Sequence, residues 1–136
     1  MQNLSNQQTL QQQRAASAFQ QVEMIDQDRT ISDKQKKEYG SLARGLPAMI
    51  QIDGLGHALA FLKAKASNNR ESHHHRLYGH LAVWLSGRFA LGNEPDLLKW
   101  LTQQPSATYR QVATEAVAYL LWIRRFVEAK GWKGEE

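Results

Sequence analysis

The 136-residue chain contains no cysteine. That excludes disulfides, thiol nucleophiles and thiolate metal sites, and it fits a reducing cytosolic setting. Proline is scarce as well, with 3 residues at positions 47, 95 and 105, so a helical chain meets few obligatory breaks. No run approaches the roughly 20 apolar residues of a membrane span. The opening MQNLSNQQTLQQQR has no apolar signal core, and the expected location is cytoplasmic, away from any membrane. Long runs of one charge are also missing. Lys and Arg number 17 against 13 Asp and Glu, a net charge of +4, and no basic run exceeds Lys36-Lys37 or Arg124-Arg125. Such a balance permits a nucleic-acid partner without requiring one, and it argues against a basic tail or arm. Catalytic machinery is not visible: there is no serine elbow, phosphate loop or pair of facing acids. Gly54-Leu55-Gly56 lacks the third glycine and the preceding strand of a dinucleotide loop. A non-enzyme without catalytic residues or cofactors is expected.

What is present is helical periodicity. Tyr109, Ala113, Ala116, Leu120, Ile123 and Val127 recur at spacings of three and four. Val112, Tyr119, Trp122 and Phe126 widen that apolar face on one side, and Val117 and Leu121 widen it on the other. A helix apolar nearly all round must be enclosed, so this stretch is expected to be the central helix of the fold. Ala15, Ala18, Phe19, Val22 and Ile25 form a stripe in the Gln-rich start, predicting a helix from about Ser5 to Asp26. Ser32 to Gln35 matches a capping box and opens a second helix carrying Tyr39, Leu42, Ala43, Leu46 and Ile50 inward, with a kink or break expected at Pro47. Gly54 stands where a positive φ is needed, and Gly56 is expected to make a second corner.

A third helix is predicted over Leu55–Ala66 and a fourth from His73 to Phe89, with Leu77, Leu81, Trp84 and Leu85 inward. A short fifth helix holds Leu97, Leu98 and Leu101, capped by Asn93 or Glu94, with Pro95 in its first turn. Ser106 or Thr108 is expected to cap the central helix, Thr108 to Gln111 being another capping-box match, and Gly131 to stop it. With 42% hydrophobic residues, the fold class is all-α: residues 1–136 as a single compact domain of about six helices around the apolar C-terminal helix.

Two clusters have chemical potential. His73-His74-His75 points its rings about 100° apart on a helix, poor geometry for a metal, so no metal site is expected; the cluster reads as a solvated helix start whose rings can also donate hydrogen bonds to phosphates. Glu115 falls near the buried face, where an acid is most often paired with an arginine; Arg14, Arg110 and Arg124 are possible partners. Arg124 itself either pairs with an acid inside the fold or points into a neighbouring subunit. On these residues alone, nucleic-acid binding and a helical protein-interaction adaptor with no RNA contact both stay open.

Three stretches carry a resemblance. QQRAASAF, YGSLARGLPAMIQIDGLGHALAFLKAK from Tyr39 to Lys65, and YRQVATEAVAYLLWIRRFVEAK from Tyr109 to Lys130 together resemble the small subunit of the Cmr complex, the type III-B CRISPR RNA-guided effector. The resemblance implies a small, all-helical, non-catalytic subunit of a ribonucleoprotein in antiviral defence. It also implies that copies stack into an inner filament along the guide RNA–target duplex and contact target RNA without reading bases. The implied partners are other copies of itself and the backbone and large polymerase-like subunits. Contacts of that kind need separated cations, and Arg14, Lys63, Lys65, Arg70, Arg76 and Arg88 are the expected RNA-binding residues because they lie outside the predicted core stripes.

Overall fold

The computed structural model describes residues 8–133, and within them the chain forms six helices and no strand. They are α1 (Leu10–Gln27), α2 (Asp33–Asp53), α3 (Leu55–Ala66), α4 (His73–Arg88), α5 (Leu97–Thr102) and α6 (Ser106–Ala129). Helix α6 packs against α1, α2 and α4, and α3 joins α2 and α4 on the far side. Val112, Ala116, Tyr119, Leu120, Ile123 and Val127 of α6 are fully enclosed. They share one core with Tyr39, Leu46 and Ile50 of α2, Leu55, Leu59 and Leu62 of α3, and Leu77, Leu81 and Leu85 of α4. All-α and centred on the C-terminal helix, the fold agrees with the periodicity. The enclosure is less complete than the sequence implies, because Leu121 stays 45% exposed.

The helix boundaries follow from their caps, and several differ from expectation. Helix α1 starts at Leu10, not near Ser5: the Thr9 hydroxyl accepts the Gln12 amide while the Gln12 side chain accepts the Thr9 amide. The part of the expected helix before residue 8 lies outside the described residues. Ser32 and Gln35 form the expected box at the start of α2. Helix α2 is continuous across Pro47 rather than broken. Ala43, Leu46, Pro47 and Ile50 are all buried, so packing on both sides outweighs the one missing backbone bond.

Gly54 takes φ 94° between α2 and α3, as its position requires. Gly56 makes no corner. It sits in the first turn of α3, and its amide donates to the Tyr109 hydroxyl at 2.7 Å. A methyl group there would lie 3.1 Å from that oxygen, so the glycine allows α6 to cap α3 from outside. Asp96, one residue past Pro95, caps α5 through the Leu98 amide, in place of Asn93 or Glu94. Helix α6 begins at Ser106 behind Pro105, whose extended backbone starts it before Thr108 is reached.

The end of α6 is a Schellman turn. Gly131 (φ 76°) donates to Glu128, and Trp132 donates back to Val127 at 2.9 Å. The turn drives the Trp132 ring into the core and lays its carbonyl against Gly40 of α2.

Candidate nucleic-acid interface

Nearly every polar group near the core has a partner. Glu115, 9% exposed, accepts Arg14 in a two-pronged grip, Nε to Oε2 at 2.6 Å and an η nitrogen to Oε1 at 2.8 Å. Trp84 Nε1 adds a third bond to Oε2 at 2.8 Å. Burial pushes the Glu115 carboxyl up, but the bonds from Arg14 and Trp84 and the charges of Arg14 and Arg88 outweigh it and hold the carboxyl below its usual range. Of the three possible arginines, Arg14 is the partner, chosen by the packing of α1 on α6. Trp84 also stacks on Tyr119, rings 5.4 Å apart and 7° from parallel. Elsewhere the Tyr39 hydroxyl meets His80 Nδ1 at 2.7 Å. Burial, with a smaller push from Arg76, lowers the His80 pKa to about 4, so the ring is neutral at pH 7, and its tautomer sets which of the two groups donates.

The six expected RNA-binding residues fall into three places. Arg14 is the innermost. Its side chain is only 15% exposed, and its guanidinium is taken up by Glu115. The premise that it stands outside the buried faces fails because α1 turns that face onto α6. Arg88 lies near the same carboxylate, exposed at the end of α4. Arg76, half-buried, acts on Asp28 and His80. The remaining three gather around the α3–α4 junction. Lys63 and Arg70 line one hollow together with Asn68, His75 and Tyr78. Lys63 reaches Asp96 at 2.7 Å across the edge of that hollow, and Lys65 lies over the Phe61 ring, 6.0 Å from its centre. Arg124 forms a helix-surface contact at 3.5 Å to Glu128, the acid that Arg44 and Arg125 also approach.

The histidine run links this junction to a second hollow. His75 lines the first. His74 packs edge-on against Phe61 and sits 4.1 Å, ring to ring, from His73. His73 lines the second hollow with Lys34, Lys37, Glu38, Ser41, Leu42 and Lys133. Burial lowers the pKa of both His73 and His74, and the Glu38 charge opposes this at each. Among the described residues no group of three His, Asp or Glu side chains is placed to hold a metal ion, and no helix is long and apolar enough to cross a membrane. Sequence reading passed over Lys34, Lys37 and Lys133. The i, i+3 spacing of the first two was the available signal; the approach of Lys133, nearly a hundred positions away, had none.

Comparison with known proteins gives this arrangement a context. A crystal structure of a CRISPR-associated Cmr5 family protein from Thermus thermophilus has a similar fold, with a TM-score of 0.70 over 90% of this chain and 97% of that one at 24% identity. The family model of CRISPR-associated Cmr5 proteins (Cas_Cmr5) matches residues 10–130, from the first residue of α1 to the cap of α6. The chain therefore belongs to the Cmr5 family of CRISPR-associated proteins, the small subunits of Cmr complexes.

Proposed function

We propose that this protein is a non-catalytic subunit that stacks with copies of itself along the guide RNA–target duplex of a Cmr complex, beside its backbone and large polymerase-like subunits, and contacts the target strand through phosphates rather than bases. The observation that carries the reading is the cationic junction of α3 and α4. Lys63, Lys65 and Arg70 lie on exposed positions within one short segment, beside three histidines that add hydrogen-bond donors. Separated point charges on a rigid scaffold suit any strand sequence, and a weak contact repeated along a filament gains by avidity.

The test is to replace Lys63, Lys65 and Arg70 together by Gln and measure target-RNA retention by the reconstituted complex across a salt series. Loss of three phosphate contacts lowers the slope of log K against log salt by about 2. An unchanged slope removes these residues from the interface. The adaptor reading draws on a different surface, where Phe19, 51% exposed, meets Phe126 edge-on and Trp122 stacks beside it. That reading predicts binding to protein partners that is insensitive to salt and to the triple substitution.

A further inference from the structure

The second hollow gathers lysines that the rest of the described fold leaves without an acid. Several lysines of the described chain stand beside a carboxylate: Lys36 beside Asp26, Lys99 beside Glu94, Lys130 beside Glu23 and Asp26, and Lys63, in an exposed pair that solvent screens, beside Asp96. Lys34, Lys37 and Lys133 have no such pair among the described residues, yet all three line one hollow with the Ser41 hydroxyl and the His73 ring. Local structure does not account for them. Lys34 and Lys37 stand near the N-terminus of α2, where a positive side chain opposes the helix dipole. Lys133 comes from the far end of the chain, delivered by the Schellman turn at Gly131 and by Gly40, which has no side chain to keep the Trp132 carbonyl away. Glu38 is the one acid among the described lining residues, and its charge is felt by His73 and His74.

We infer that this hollow binds the phosphodiester backbone of RNA, as a second anchor separate from the Lys63–Lys65–Arg70 junction and joined to it by His73, His74 and His75. The inference rests on the RNA reading above and adds a location to it. Three ammonium groups on flexible stems, with an imidazole beside them, match phosphate oxygens. Leu42 and the aliphatic stems of the three lysines make up the apolar part of the lining, and the ammonium groups at the ends of those stems carry its charge. The residues come from α2, α4 and the segment after α6, so the anchor exists only in the folded chain.

The experiment uses the full chain with a labelled oligouridine, followed by anisotropy over a salt series. Lys34→Gln with Lys37→Gln is expected to weaken binding at low salt by about tenfold and to lower the salt slope by about 1.4, as two contacts to a single strand require. Lys34→Arg with Lys37→Arg restores both. Lys133→Gln lies outside every helix and tests the same hollow with a slope change of about 0.7, independent of any effect on α2. If the double Gln variant keeps the parental slope while the Lys63, Lys65, Arg70 variant loses its share, the hollow is no RNA site and the broader reading stands. If both keep it, the RNA reading falls and the hollow with it. If the double Gln variant keeps its RNA slope but drops out of the assembled complex, the hollow takes an acidic face of a partner protein, which also overturns the inference.

Discussion

The two ends of α4 handle positive charge in opposite ways. At its C-terminal end, Trp84 and the neighbouring α1 and α6 enclose Glu115, and Arg14 is spent on that carboxylate. At its N-terminal end, His73 faces Lys34, Lys37 and Lys133, which have no ion pair among the described residues. Residue type does not separate the two regions, since both are built from scattered single cations. What separates them is whether another helix brings an acid within reach. A cation held by a buried acid is part of the architecture, and removing either partner strands the other. A cation left in a solvated hollow adds little to stability, so its charge is available for a ligand.

Substitutions at the two ends put a scale on this difference. Glu115→Ala removes three hydrogen bonds and leaves Arg14 and the Trp84 N–H without their acceptor; it is expected to cost about 4 kcal/mol in urea unfolding. A cost under about 1 kcal/mol would make the Glu115 end no more structural than the other.

Between the two ends, the Tyr39–His80 pair predicts an acid limb. His80 titrates at about 4 in the folded protein against an ordinary value of 6.5, so the unfolded chain binds the extra proton in that window and stability rises with pH. The contribution is fully present above pH 6.5 and is lost as pH falls toward 4, about 3 kcal/mol in all. Thermal unfolding of His80→Gln should lack this limb while keeping that of the remaining carboxylates.

Gly40→Ala sharpens the other end. A methyl group there would overlap the Trp132 carbonyl, so the C-terminal segment must move, at about 2 kcal/mol. Lys133 moves with it, and the RNA salt slope should fall by about 0.7, as for Lys133→Gln. Crystallography of the variant would show whether Trp132 has left α2. The smallest effect is expected at the hollow itself: Lys34→Gln with Lys37→Gln should change unfolding free energy by less than about 0.5 kcal/mol. A loss as large as that of Glu115→Ala would erase the contrast between the two ends.

The helices were legible because their signals are local. The stripes through Leu55–Ala66 and through Val112, Ala116, Leu120 and Ile123 repeat within a few turns, and burial follows such periodicity. Caps were less legible where several candidates lay side by side: Asn93, Glu94 and Asp96 all qualify by type, and only the path of the loop selects Asp96. The break expected at Pro47 is missing for a related reason, as its local cost is visible in sequence while the packing that outweighs it is not.

The sequence by itself determined an all-helical chain with its buried faces and an excess of basic over acidic residues, with no machinery for thiol chemistry. Those properties depend on composition and on neighbours three or four residues apart. Which cations are structural was decided only by the tertiary structure. Arg14 and Glu115 are 101 positions apart, and no local pattern couples them. Lys133 reaches Lys34 and Lys37 only because a glycine in α2 lets the end of the chain lie against it. Ion pairing acts over a few ångströms of space regardless of separation along the chain, so the allocation of charge between core and surface is settled by folding.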